Sequence, residues 1–237
     1  MLLSTGDHGE TAAAPRSQAS LAYDIIRRAI LSGRHQPGTK LKIQDLAGAL
    51  DVSPGAIREA LSRLVPEQLV VSRDQRGFVV APLSIGDLED LTDLRCEIEG
   101  IAVRRSVERG DVAWEAEILA AAHRLRAMKL SAVRHRSAET DRLIADWGRA
   151  HGDFHTALVE ACGSRRLLTL HAQLHEQSER YRVQSFFVES ARDVDAEHRE
   201  LVDLALARNA DGLVGALCAH IRETTRLIIA HAHREAA

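Results

Sequence analysis

The chain is poor in aromatic residues, since Phe, Trp and Tyr make up only 3% of its 237 residues. A core with so few rings has to be filled by Leu, Ile, Val and Ala, which favours helices packed on helices over an aromatic-rich β-sandwich. No apolar run approaches the roughly 20 residues that span a bilayer. The first 20 residues include acidic side chains and no apolar segment of the kind found in secretory signals. We therefore expect a cytoplasmic protein without membrane contact.

Cysteine is also scarce. Cys96, Cys162 and Cys218 are odd in number, far apart along the chain and never part of a CxxC pair. Three scattered thiols fit a reducing compartment and argue against a disulfide framework.

The charge is unevenly distributed along the chain. The net charge is −3, but residues 16–80 contain ten Arg and Lys against six Asp and Glu, or +4, so the remaining residues carry −7. Such an asymmetry indicates that one part of the chain meets phosphate and the other has a different task.

Hydrophobic periodicity predicts a small helical domain with a hairpin near the N-terminus. Residues 1–17 show no period and are expected to form a disordered tail. Ser53 is a favourable N-cap and Pro54 a favourable first helical residue. The predicted elements are helices over 20–32, 43–50 and 54–65, strands over 69–72 and 78–80, and a hairpin loop over 73–77. This order is that of a winged helix-turn-helix, placed over residues 18–82.

The rest of the chain predicts only helices. A new helix is expected to start after Ser84, which with Asp87 resembles a capping box. Six helices are predicted, over 85–108, 112–129, 140–161, 165–187, 194–207 and 211–233. The predicted fold is therefore mostly α, with an N-terminal winged helix-turn-helix and a C-terminal six-helix antiparallel bundle over residues 83–237.

Residues 46–80 resemble the GntR family of bacterial regulators, in particular its FadR-type branch. The positions that carry the resemblance are Leu46-Ala47, Leu50, Val52-Ser53, Ile57-Arg58-Glu59-Ala60-Leu61 and Leu64. Two positions depart from the family pattern. Pro54-Gly55-Ala56 replaces the usual Arg-Thr-Pro after the serine, so one common DNA-contacting arginine is missing, and Gln68 replaces a glycine before the strand.

The resemblance implies that the helix after Ser53 enters the major groove of DNA. Arg58 is the residue best suited to a bidentate contact with guanine, and Arg73 and Arg76 flank the wing, where Gly77 allows a close backbone approach. The predicted DNA-binding residues are Gln44, Ser53, Gly55, Arg58, Arg63, Arg73, Arg76 and Gly77.

Twelve histidines are present, and the spacing of some of them indicates a metal site. His151 and His155 are four residues apart on a predicted helix and share one face, a common way to offer two nitrogen ligands to a divalent ion. His198 and His220 lie on two later helices that a bundle could bring to the same place. His171 and His175 have the same spacing as the first pair and remain a rival on this criterion.

Residues 85–230 resemble the FCD ligand-binding domain that accompanies such winged helices, through Arg95 with Glu99, Phe154-His155, Glu197-His198 and Ala219-His220. The resemblance implies a divalent metal held by His151, His155, His198 and His220 and a small carboxylate effector bound beside Arg95. Arg95 could equally form a structural ion pair with Glu99. The family has Asp at position 151. We expect His151 to replace it, although Asp153 or a three-ligand site are alternatives, and an all-histidine site favours Zn or Ni over Mn.

These features predict a transcriptional regulator, most simply a repressor, that binds a pseudo-palindromic operator as a homodimer and responds to a carboxylate metabolite. Two alternatives remain at this stage. In one, the metal ion itself is the effector. In the other, the histidines form a catalytic zinc site, although residues 152–154 are Gly-Asp-Phe and the HExxH pattern of metalloproteases is absent.

Overall fold

A computed structural model describes residues 17–73, 77–128, 137–186 and 191–235. Its contacts divide the chain into two compact units. The first contains the chain up to Arg27 together with Lys40–Val79, and the second contains Arg28–Thr39 and the chain from Val80 onward. The domain division expected after residue 82 stays a prediction. The tail expected over residues 1–17 lies outside the described residues, apart from its last position.

The N-terminal elements alternate helices with short strands. They are α1 (Gln18–Leu31), β1 (Lys40–Leu41), α2 (Ile43–Leu50), α3 (Pro54–Leu64), β2 (Val70–Arg73) and β3 (Gly77–Val80). The strands form one sheet in the order β1-β3-β2, with Lys40 of β1 opposite Val79 of β3 in antiparallel register. The predicted winged helix-turn-helix is confirmed. The two-residue strand β1 was not predicted, because it is too short to show an alternating pattern.

Local sequence explains how α3 is held. The Ser53 side chain accepts a hydrogen bond from the Ala56 amide at 3.2 Å, and Pro54 occupies the first turn, as predicted. Ile57 and Leu61 are fully buried and anchor the helix on its neighbours. Gln68, just before β2, has φ of 57°, a left-handed conformation. Glycine adopts it without strain, which explains the family preference at this position.

Six helices fill the rest of the described chain: α4 (Ile85–Arg109), α5 (Val112–Ala127), α6 (Ala138–Val159), α7 (Arg165–Ser185), α8 (Val194–Leu206) and α9 (Ala210–Glu235). All six were predicted. Ser84 caps α4 by accepting a hydrogen bond from the Asp87 amide. After α6 the chain tightens into a 3-10 turn, Glu160–Cys162, that sequence periodicity did not distinguish from the helix.

The core of the helical part is mainly aliphatic, as the composition requires. Phe154, Leu158, Ile118 and Leu201 are completely buried in it. Phe154 is adjacent to His155, so the residue that anchors α6 in the core also fixes the direction in which the neighbouring histidine points. Among the described residues, no helix has the length and apolarity that a bilayer span requires.

Candidate functional site

Three of the predicted DNA-binding residues are exposed at the start of α3. Ser53, Gly55 and Arg58 are all exposed on the N-terminal half of α3, whose opposite side is buried. Arg58 therefore has the accessibility that a base contact requires. Gln44 in the first turn of α2 is exposed as well.

The other arginines predicted to bind DNA differ in their surroundings. The Arg63 guanidinium lies over the Tyr23 ring at 4.3 Å and donates a hydrogen bond to Ser20, so it is turned toward α1. Arg73 is exposed at the end of β2, and Gly77 opens β3 with φ of 81°. Arg76 lies outside the described residues.

Four histidines from three helices converge in the helical part. His151 and His155 come from α6, His198 from α8 and His220 from α9, and one ring nitrogen of each lies within 4.8 Å of those of the others. All four side chains are buried. The Nε2 atoms of His151 and His155 are 3.1 Å apart. We call these four residues the histidine cluster.

A carboxylate outside the cluster orients one of its members. The Glu197 carboxylate accepts a hydrogen bond from Nδ1 of His220 at 2.7 Å and is itself held by two hydrogen bonds from Arg192. This leaves Nε2 of His220 for the centre of the cluster. The arrangement matches the carboxylate–histidine pairs that orient metal ligands in proteins. Burial acts to raise the pKa of Glu197, but the hydrogen bonds from Arg192 and His220 outweigh it and hold the pKa at about 2.

The donor set fits a divalent metal. Burial lowers the pKa of His198 to about 3, places the pKa values of His151 and His155 well below their usual range and lowers that of His220. The rings are therefore neutral at pH 7, which is the form that binds metal. Two nitrogen atoms that each lie about 2.0–2.1 Å from one zinc ion are roughly 2.9–3.3 Å apart, a range that contains the 3.1 Å between Nε2 of His151 and Nε2 of His155.

The geometry also distinguishes the candidates that sequence left open. His151 is in the cluster and stacks on Trp147 at 4.6 Å, whereas Asp153 is exposed and takes no part in the grouping. The two histidines of the rival pair each lie beside a different carboxylate. Nδ1 of His171 is 3.6 Å from Glu99, and His175 lies beside Glu179. His151, His175 and Glu179 form a second grouping of possible ligands, but the Glu179 carboxylate is already paired with Arg182.

Two cavities are each lined by at least two members of the histidine cluster, and a third, of about 310 Å³, is lined by His198 alone among the four. The inner one, of about 30 Å³, is lined by Arg95 together with His151, His155 and His220. The outer one, of about 650 Å³, is lined by His151 and His220 but not by Arg95. Arg182 lines both cavities.

Arg95 lines the inner cavity, and each of its three guanidinium nitrogens has a neighbour in the protein. Its Nε donates to Glu99 at 2.8 Å, one terminal nitrogen donates to Ser178 at 2.8 Å, and the other is 3.2 Å from Nδ1 of His175. The ion pair with Glu99 therefore exists, and the cavity contact exists beside it. Burial acts to raise the pKa of Glu99, but Arg95 and His171 bring it to about 2.

Sequence reasoning missed Arg192, which holds Glu197 and lies between two predicted helices. Arg182 lies within a predicted helix, but its sequence position does not show in which direction its side chain points. The fold turns Arg182 over the Trp147 ring at 4.7 Å, toward the cavities. Arg180, two residues earlier, points elsewhere and donates to the carbonyl oxygens of Ala81 and Pro82.

The buried neutral histidines predict an acid-sensitive metal-free protein. Unfolded histidines have a pKa near 6.5, whereas burial lowers the pKa of His175 to about 4 and that of His198 to about 3. Below pH 6.5 the unfolded chain binds protons that the folded chain does not, so stability falls as the pH drops from about 6.5 toward 4. We expect the melting temperature of protein stripped with a chelator to fall steeply over this range. His175→Gln should flatten the curve and the exposed His233→Gln should not. A curve that is flat in the unsubstituted protein would contradict the prediction.

These features together define a class: a winged helix-turn-helix followed by an all-helical domain that contains a buried histidine cluster. Comparison with known proteins gives the family. Residues 18–80 match the family of bacterial regulatory proteins called gntR, and residues 90–223 match the FCD domain. The chain belongs to the FCD-containing, FadR-type branch of the GntR family and is a DNA-binding transcriptional regulator. Membership argues against the metalloenzyme alternative.

The individual proteins that the chain resembles agree with this family assignment. The chain is 37% identical to the HTH-type transcriptional regulator BphR of Paraburkholderia xenovorans, over 90% of this chain and 86% of that protein. It is 35% identical to the HTH-type transcriptional repressor GlaR of Escherichia coli, over 79% of this chain and 84% of that protein. Its fold is similar to that of E. coli McbR/YncC, with a TM-score of 0.71 at 17% identity, covering 92% of this chain and 100% of that one.

Proposed function

We propose that this regulator is a repressor whose affinity for operator DNA is set by a small carboxylate, bound beside a divalent metal in the histidine cluster. The observation that carries the proposal is the convergence of four neutral, buried imidazoles between two cavities. Nε2 of His198 is buried without a hydrogen-bond partner, and Nε2 of His151 and Nε2 of His155 have each other as neighbours at 3.1 Å. A buried nitrogen without a partner costs free energy unless something binds it or rearranges around it.

The ligand class follows from the charge of the site. A divalent ion on four neutral imidazoles keeps its full charge, so it attracts an anion. Zn and Ni suit an all-imidazole set better than Mn. The metal, when bound, supplies a Lewis-acid anchor for a carboxylate oxygen. The inner cavity has room for about two waters or one carboxylate group, and Arg95 on its wall stabilises the negative charge.

The outer cavity accommodates the body of the effector. Its volume of about 650 Å³ lies within the range of small-molecule sites. Trp147 and Phe186 contribute apolar wall, and Arg192 adds positive charge near His220. The effector is accordingly a small acid, with its carboxylate at the metal and the remainder of the molecule in this cavity.

Helix α7 supplies a route from the site to the chain that follows the wing. Arg182 lines both cavities, and Arg180, less than one turn away, holds the carbonyls of Ala81 and Pro82 at 2.8 and 3.2 Å. Tyr181, between them, hydrogen-bonds Asp87 in the first turn of α4. A ligand that shifts this part of α7 therefore shifts the segment that leads into α4. Homodimers with two reading heads would register such a shift as a change in operator affinity.

The test is a thermal-shift screen of small carboxylates, with zinc-loaded and chelator-treated protein measured side by side. Binding to the folded state raises the melting temperature by mass action. We expect at least one carboxylate to do so only in the presence of zinc, and the same compound to lower affinity for an operator selected from random duplexes. If zinc alone changes operator affinity and no carboxylate adds to it, the protein is a metal sensor and the effector part of the proposal is wrong.

A further inference from the structure

Helices α4 and α9 run in opposite directions along a seam of small side chains. The hydroxyls of Thr92 and Thr225 are 2.6 Å apart at one end of it. At the other end, a Cβ added to Gly100 would lie 3.3 Å from a methyl group of Val214, so the two helices approach closely there.

The middle of this seam holds two cysteines that are 122 residues apart in sequence. The sulfur of Cys96 lies 4.0 Å from the carbonyl oxygen of Cys218, and the sulfur of Cys218 lies 3.8 Å from the carbonyl oxygen of Cys96. The contact is reciprocal. Each thiol therefore faces the opposite helix, at the level of the opposite cysteine. A disulfide requires Cα atoms about 4.4–6.8 Å apart. Two helices can therefore be bridged by a disulfide only where they pack closely.

Both cysteines adjoin residues of the site described above. Cys96 follows Arg95 on α4, and Cys218 lies two residues before His220 on α9. The third cysteine, Cys162, is completely buried, and its thiol is 3.7 Å from the Ser164 carbonyl oxygen. Cys162 therefore serves as an internal reference for an unreactive thiol.

We propose that Cys96 and Cys218 are a modification site that forms a reversible disulfide on exposure to a peroxide. Cys218 is the more exposed of the two and reacts first. Its thiolate attacks one peroxide oxygen, the O–O bond breaks, and a sulfenic acid and a hydroxide ion form. The sulfur of Cys96 then attacks the sulfenic sulfur, the S–O bond breaks, and the oxygen leaves as water with the proton of Cys96. The hydroxide ion takes up the proton that Cys218 lost on forming its thiolate, so two thiols are oxidised by two electrons and the peroxide is reduced to two molecules of water.

The disulfide has a consequence for the neighbouring cluster. An S–S bond of about 2.05 Å is much shorter than the contact between two free thiols, so its formation draws α4 and α9 together beside Arg95 and His220. We expect oxidation to weaken metal binding by about tenfold or more, the scale on which disturbed outer-shell groups affect metal sites. This second effect rests on the proposed function, whereas the disulfide does not.

The experiment treats the full-length, metal-free protein with a few equivalents of hydrogen peroxide, blocks free thiols with an alkylating agent and maps the peptides without reduction. We expect loss of two hydrogens from an otherwise unmodified monomer, a peptide cross-linked through Cys96 and Cys218, and an alkylated Cys162. Dithiothreitol should restore all three thiols. The Cys162→Ser variant should form the cross-link, and Cys218→Ala should form none.

Sulfinic acid at Cys218 without a cross-link, or a disulfide only between two chains, would overturn the proposal. Zinc affinity is measured on the same oxidised and reduced samples. A cross-link with unchanged zinc affinity would keep the modification site and refute its coupling to the cluster. Reduced protein that binds no zinc would refute the proposed metal site and leave the cross-link result standing.

Discussion

Replacing His155 by Ala is expected to abolish tight zinc binding. His155 is almost completely buried, and its Nε2 is 3.1 Å from that of His151, in the middle of the cluster. Its loss leaves three ligands and a gap filled by water. Disturbing an outer-shell group alone costs roughly 10- to 100-fold in metal affinity, so removal of a direct ligand should cost more than 100-fold. Competition with a chromophoric chelator measures the difference.

Two further variants make this result interpretable. His233→Ala removes an exposed histidine from the last helix and should leave zinc affinity unchanged. His151→Asp restores the carboxylate that the family has at this position. It should retain metal binding but shift the preference toward Mn, because a carboxylate is a harder ligand than imidazole. Equal zinc affinity in the unsubstituted protein and His155→Ala would rule out the cluster as the metal site. Circular dichroism of the metal-free variants separates a lost ligand from a lost fold.

The winged helix-turn-helix could be predicted almost completely because its sequence signals are local. Ser53, Pro54 and the apolar spacing of Ile57 and Leu61 fix a helix and its buried side within one short segment, and the exposure of Arg58 follows from them. The two-residue strand β1 could not be predicted because it has no local sequence signal. Its extended form depends on pairing with Phe78 and Val79, far along the chain, and not on its own sequence.

The histidine cluster was only partly accessible to the same reasoning. Helical spacing shows that His151 and His155 share a face, but it does not show that α8 and α9 cross there, and the resemblance to the FCD domain supplied that step. Arg192 and Glu197 are close in sequence, yet their purpose depends on His220, which lies on another helix. No periodicity could indicate that Cys96 and Cys218 meet, because a helical pattern identifies a buried face and not its partner.

The second large effect is expected from Arg58→Ala, which should weaken binding to a selected operator by roughly 5- to 150-fold, the loss of about 1–3 kcal/mol that accompanies one bidentate base contact. Arg58 is exposed on α3, so the substitution should change folding stability by no more than about 0.5 kcal/mol. Fluorescence anisotropy with labelled duplexes measures the affinity. Arg149→Ala, an exposed arginine on α6 paired with Asp146, is the matched control and should bind the operator normally.

Salt dependence separates a base contact from a phosphate contact at Arg58. An arginine that reads a base contributes to the preference for operator over random DNA, so Arg58→Ala should reduce that preference while binding to random duplexes changes little. An arginine that only neutralises phosphate would instead weaken binding to both DNAs alike and lower the slope of log affinity against log salt by about one. Because the arginine common in this family after Ser53 is absent, we expect Arg58 to carry more of the direct reading in this chain. Its loss should therefore lower the preference for operator over random DNA by as much as it lowers operator affinity.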